Sequence, residues 1–284
     1  MTVHPVQRET RPAADSGAAR PGVRLPVRLE IVPTEDILPA VATTVPEGAS
    51  LAVTCLPRHG IETTAEASVR LAGLGYRVVP HLAARGIADR ARLARALRGF
   101  EAAGITEVFA VGGDTAQPAG PYADALQLME DIADLSGGRL AIGVAGYPEG
   151  HPSHGAVELL DALLKKQHLA SSVVTQMCFS APVVGDYVSL LRAEGVDLPV
   201  WAGVTGPVGR ARLISLATRI GVGPSLKFIT RKGPLARRLL RADAYSSETL
   251  AQDLSAPRMG LAGIHLFTFN NLDLPPFALA GTGR

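Results

Sequence analysis

The chain has 284 residues, a net charge of +2 and 47% hydrophobic residues, with 19% charged and only 5% aromatic. Near-neutral charge gives no electrostatic footing on a phosphate backbone, and no stretch approaches the ~20 apolar residues of a membrane helix, so neither nucleic acid nor a bilayer is an expected partner. Cys55 and Cys178 cannot build a disulfide framework and lack metal-ligand spacing, which points to a reduced, cytoplasmic setting.

Residues 1–26 are rich in Pro, Ala, Arg and Gly and show no apolar period. They cannot bury enough surface to offset ordering entropy and lack the apolar core of a secretory signal, so a disordered tail is expected. From residue 27 onward, short runs of Val, Ile and Leu end at Gly, Pro or polar residues. Eight such runs predict buried parallel strands: Val27–Val32, Leu51–Cys55, Arg77–Leu82, Glu107–Gly112, Leu140–Gly146, Ser172–Phe179, Val200–Thr205 and Ile264–Phe269. Helical periodicity fills the intervals at Ile61–Leu74, Gly86–Ala103, Tyr122–Leu135, His154–Leu169, Val183–Glu194 and Gly209–Ile220. The Gly206–Gly263 interval is long enough for two or three helices.

Eight βα units over residues 27–284 match the roughly 250 residues of a (β/α)8 TIM barrel. A doubly wound open sheet is the competing architecture, but no GxGxxG follows the first strand. In a barrel, polar residues at the C-terminal strand ends face the active site. Here those positions hold Glu30, Thr54, His81, Asp114 after Gly112-Gly113, the cluster Tyr147-Pro148-Glu149-Gly150-His151-Pro152, Gln176, Thr205 and Thr268-Phe269-Asn270. His151 and His154 share a helical spacing, yet no third ligand has a supporting motif, so no metal is expected.

In order and context these residues resemble the methylenetetrahydrofolate reductase family over about residues 27–272. The most specific stretch is Gly146-Tyr147-Pro148-Glu149-Gly150-His151-Pro152, followed by Leu164-Lys165-Lys166 and Val174-Thr175-Gln176. Pro80-His81-Leu82, Gly113-Asp114, Tyr122-Ala123-Asp124, Phe267-Thr268-Phe269-Asn270 and Leu29-Glu30-Ile31-Val32-Pro33 support it. The resemblance implies an oxidoreductase that reduces 5,10-methylenetetrahydrofolate with NAD(P)H, with FAD as the family's cofactor and a homo-oligomer as a plausible assembly.

It further implies Glu30 as the general acid for ring opening, its pKa raised by an apolar setting among Leu29, Ile31 and Val32. Asp114 would face the pterin and favour a cationic iminium, with Gln176 and Thr268 also on the folate. Thr54, His81, Gly113, Tyr122, Ala123, Tyr147, His151 and Lys166 resemble cofactor-binding positions, and the choice of Lys166 over Lys165 depends on where a short deletion falls. The chain departs from the family at Gly112, where an arginine precedes the glycine, and at Ile31-Val32 and Met177-Cys178, where aromatics are usual. Two mechanisms stay open: hydride relayed through FAD, or hydride passed directly from NADH to the folate. Another folate-dependent one-carbon enzyme, or a non-catalytic folate-binding partner protein, are the alternative functions.

Overall fold

The computed structural model describes residues 25–57, 60–209, 244–245 and 247–280. The expected tail therefore lies outside the described residues up to residue 24, as does the helix expected over Gly209–Ile220 beyond Gly209 itself. Eight parallel strands close into one barrel: β1 (Val27–Ile31), β2 (Ser50–Val53), β3 (Arg77–Ala83), β4 (Glu107–Val111), β5 (Ala141–Gly146), β6 (Ser172–Met177), β7 (Val200–Thr205) and β10 (Gly263–Phe267). Each predicted strand is present. Closure comes from β10, which pairs with β1 on one side and β7 on the other, aligning Glu30 with Phe267 and His265 with Gly203. Two-residue strands β8 (Val208–Gly209) and β9 (Ala244–Tyr245) form a separate antiparallel pair.

The α-helices of the described residues are α1 (Ile37–Thr44), α2 (Gly60–Gly73), α3 (Arg90–Ala102), α4 (Ala125–Ser136), α5 (Ala156–Lys166), α6 (Ala181–Ala193), α7 (Glu248–Leu254) and α8 (Pro276–Ala280). None of the described helices is long and apolar enough to cross a membrane. α1 has only eight residues, too few for its buried Ile37, Leu38 and Val41 to declare a period in the sequence. α3 starts later than its periodicity predicts, because the side chain of Asp89 accepts the Arg92 N–H at 2.8 Å and caps the helix there. Asp124 caps α4 in the same way, and Gly137 ends that helix in the left-handed region at φ 58°.

Strand alternation sorts the side chains into two compartments. Leu29, Ile31, Leu51, Val53, Val108, Ile142, Val173, Val204 and Leu266 point outward and pack into the large core under the helices. Residues of the opposite parity fill the barrel in layers. At the N-terminal end Arg28 donates to both carboxylate oxygens of Glu107, at 2.7 and 3.0 Å, and lies 4.5 Å over the Trp201 ring. Gly263 makes room for that ring, since a Cβ there would lie 2.3 Å from it. Val79, Phe109 and Val174 form an apolar middle layer. Above it lie Glu30, His81 and His265, which contact one another across the barrel.

Candidate active site at the C-terminal mouth

Glu30 is the fourth residue of β1 and points into the barrel, not toward its sequence neighbours. Its Oε2 sits 2.9 Å from His265 Nε2 and 4.0 Å from His81 Nε2. The expectation of a raised pKa from Leu29, Ile31 and Val32 is therefore corrected. Burial does push the Glu30 carboxyl up, but its hydrogen bond and charge interaction with His265, with a smaller pull from His81, outweigh it and hold it below its ordinary range. Leu29 and Ile31 belong to the outward face and do not set its environment.

His81, on β3, is 8% exposed and packs 4.7 Å from the Phe109 ring centroid. Burial lowers its pKa to about 4 against a smaller upward pull from Glu30, so the ring is neutral at physiological pH. Its Nε2 is buried without a hydrogen-bond partner, as is Nδ1 of His265. Sequence reading passed over His265 because it looks like one more residue of a buried strand. Its parity with Glu30 across the closing β1–β10 pair is the signal that finds it. One atom from each of Glu30, His81 and His265 lies within 4.8 Å of the others, a grouping that a divalent cation could use. A cation there would have to displace the existing Glu30–His265 contact.

Gln176 lies in β6 beside a register shift between Val174 and Met177. Thr175 Oγ1 accepts the Gly203 N–H at 2.8 Å there, in place of a regular ladder bond. Both amide atoms of Gln176 are buried with no partner, as is the Thr54 hydroxyl. Such orphaned donors and acceptors cost stability unless a ligand completes them. Asp114 follows Gly113, whose φ of 90° turns the chain after β4. It is exposed, and its charge reaches Tyr147 and His151: burial raises the Tyr147 pKa and Asp114 adds to that rise, whereas burial lowers the His151 pKa and Asp114 opposes the fall. Tyr147 and His151 meet edge to face at 5.2 Å.

Other expected site residues are committed to the protein itself. Thr268 is fully buried; its hydroxyl donates to the Glu30 carbonyl at 2.6 Å and accepts from the Asn270 N–H at 3.1 Å. Asn270, left-handed at φ 62°, brackets Val32 by accepting from its N–H at 2.8 Å and donating to its carbonyl at 2.9 Å. Glu149, in the most specific motif, is buried and accepts the Phe179 N–H at 3.2 Å, tying the β5 loop to the end of β6.

Lys166 is half-buried at the end of α5, its pKa lowered by burial against the pull of Asp124. Lys165 is exposed and pairs with Asp161 at 2.7 Å. Of the two lysines, Lys166 is thus the inward-facing one.

The β4–α4 loop bears on the cofactor question. Arg85, another residue not singled out by sequence, donates to the carbonyls of Thr115, Ala116 and Ala123. Gly120 lies so close to Ala88 that a Cβ would come within 2.2 Å of its carbonyl oxygen. Within this loop the Tyr122 hydroxyl is bonded to Asp131 at 2.7 Å and the Ala123 N–H to Gln127 at 2.7 Å. The groups that would meet the adenosine end of FAD are thus already engaged. Gly112 supplies no side chain, and the nearby Arg85 guanidinium is spent on carbonyls. These residues do not fit a flavin cradle.

A family profile for methylenetetrahydrofolate reductase matches residues 49–224. The chain belongs to the methylenetetrahydrofolate reductase family. It is 31% identical over 112 residues to methylenetetrahydrofolate reductase 2 of Saccharomyces cerevisiae, covering 36% of this chain and 19% of that protein. It is 31% identical over 127 residues to a probable methylenetetrahydrofolate reductase (NADH) of Oryza sativa, covering 38% and 21%. The matched segments span about a fifth of those relatives' own lengths. Among solved structures, oxaloacetate acetylhydrolase superposes with a TM-score of 0.54 at 12% identity, over 87% of this chain and 76% of that one. 2,3-Dimethylmalate lyase gives 0.52 at 10%, over 91% and 78%. At such identities they bear on the fold alone.

Proposed function

We propose that the barrel reduces 5,10-methylenetetrahydrofolate to 5-methyltetrahydrofolate, with hydride passing directly from NADH or NADPH. The observation that carries this reading is Glu30: a carboxyl group inside the catalytic mouth, engaged by imidazoles through one oxygen. Family membership supplies the substrate class, and the engaged β4–α4 loop favours direct transfer over a flavin relay.

Opening the imidazolidine ring breaks the bond from the methylene carbon to the departing nitrogen, leaving an iminium cation. Protonated Glu30 gives that nitrogen its proton and becomes a carboxylate. Asp114 at the rim favours the cation, because a fixed negative charge near developing positive charge lowers the barrier. Gln176 completes its unpaired amide on the pterin edge. The hydride leaves the reduced nicotinamide and forms the new C–H bond, giving the methyl group and the oxidised nucleotide. Glu30 then regains a proton from solvent.

Two measurements on the purified full chain test this reading. Reduced nicotinamide should be consumed only when methylenetetrahydrofolate is present, yielding one methyltetrahydrofolate per nucleotide. The protein as purified should show no flavin absorption band, and added FAD should not raise the rate. Absence of reductase activity overturns the reaction; dependence on FAD overturns the direct route.

A further inference from the structure

Glu30 is not alone in the mouth, and the way His265 holds it goes beyond the role given to Glu30 itself. Both imidazoles lie against Oε2, at 2.9 and 4.0 Å, and among the described residues no side chain bonds Oε1. His265 is 2% exposed and its Nδ1 is buried without a partner. A proton on Nδ1 would thus be an unpaired buried donor, which costs free energy, so the network assigns the ring proton to Nε2, facing Glu30.

We propose that His265 is the positioning residue of the general acid: it donates a fixed Nε2–H to Oε2 and leaves Oε1 to carry the proton transferred to substrate. This rests on the folate-reductase reading above. His81 completes the arrangement from β3. Its neutral ring fills the space beside Oε2, 6.1 Å from the His265 ring centroid, and shields the contact from water. Among the described residues, the other charged group reaching this cluster from the barrel interior is Arg28, two residues before Glu30 on β1, and it is already paired with Glu107. β2 and β7, the other strands flanking β1 and β10, carry no titratable side chain.

The arrangement has a signature in pH. His265 stabilises the Glu30 carboxylate, so removing it lets burial raise the carboxyl. kcat/KM requires protonated Glu30 and falls as pH rises through its pKa. His265→Leu should therefore lose roughly tenfold or more in kcat from the unheld carboxyl. Its activity relative to the native protein should nevertheless climb as pH rises past the carboxyl's ordinary 4.5. His265→Gln keeps an amide donor of similar reach that cannot ionise; it should restore most of the activity lost in the leucine variant and return the pH profile toward the native one.

The deciding experiment titrates the Glu30 carboxyl by carbon-13 NMR in the unliganded full chain, assigned by difference from Glu30→Gln, alongside the pH dependence of kcat/KM. The expected result is an upward-moved titration in His265→Leu and one returned toward the native position in His265→Gln. If the leucine variant does not fold, His265→Asn, whose amide is too short to reach Oε2, takes its place. An unmoved titration overturns the proposal. So does a glutamine variant as inactive as Glu30→Gln, which would make His265 a proton carrier. The NMR titration needs no folate, so a moved titration without reductase activity overturns the folate reading alone and leaves the Glu30–His265 coupling standing.

Discussion

The two mouths of this barrel use the same eight strands and treat their polar side chains in opposite ways. At the N-terminal mouth Arg28 is bonded to both oxygens of Glu107, to Ser50 and over Trp201, beside a cavity of about 580 Å3. Apart from the buried Ser136 and Ser172 hydroxyls, the buried polar side chains described at that end are hydrogen-bonded. At the C-terminal mouth the Thr54 hydroxyl, His81 Nε2, His265 Nδ1 and both amide atoms of Gln176 are buried without hydrogen-bond partners. Polar groups at the lower mouth hold the barrel closed; at the upper one they are kept incomplete, as a site that completes its hydrogen bonds on a substrate would be.

Substitutions at the two ends should therefore separate activity from stability. The largest effect is expected at Glu30→Gln, which should lower turnover by about a thousandfold in steady-state assays, with folate affinity nearly unchanged by calorimetry. Arg28→Ala, at the other end, should leave the folded enzyme's kcat intact. In urea denaturation it should cost about 3 kcal/mol, because Glu107 is left without its partner.

The His81 layer predicts an acid limit. Its folded pKa of about 4 lies below the ordinary 6.5, so the unfolded chain binds a proton that the native state refuses. The stability present above pH 6.5 is lost as pH falls toward 4, by about 3 kcal/mol at most. The lowered Glu30 carboxyl adds to this below its ordinary 4.5, and His81→Phe should flatten the upper part of the thermal-melt profile between pH 6.5 and 4.

Asp114→Asn removes an exposed charge from the rim, so turnover should drop roughly tenfold with no change in melting temperature. The smallest effect on stability is expected at Gln176→Leu. Deleting two unpaired buried polar atoms should leave stability within about 0.5 kcal/mol of native, or raise it, while weakening folate binding.

Much of the fold was legible because buried parallel strands announce themselves as short apolar runs, and all eight fell where expected. The residues of the candidate site could be picked out one by one, but their arrangement could not. Glu30 was found by its place at a strand exit, yet its electrostatics were misread from Leu29 and Ile31, which alternation turns to the other face. Its actual neighbours, His265 and His81, are set by barrel closure, a long-range fact with no local sequence signal. Thr268 and Glu149 carried the right pattern, but their side chains are spent on Glu30's carbonyl and on the Phe179 N–H. Tyr122 and Ala123 were matched by motif, and only the structure shows their polar groups engaged by α4 and Arg85.

The central claim is that hydride passes straight from nicotinamide to a folate held above Glu30. The most direct measurement supplies NADH stereospecifically deuterated at C4 and weighs the methyl group of the product by mass spectrometry. Direct transfer predicts one deuterium retained per methyl group in ordinary water with the correctly labelled isomer. Product whose label has washed out into solvent would require an exchangeable flavin carrier, and would contradict the account.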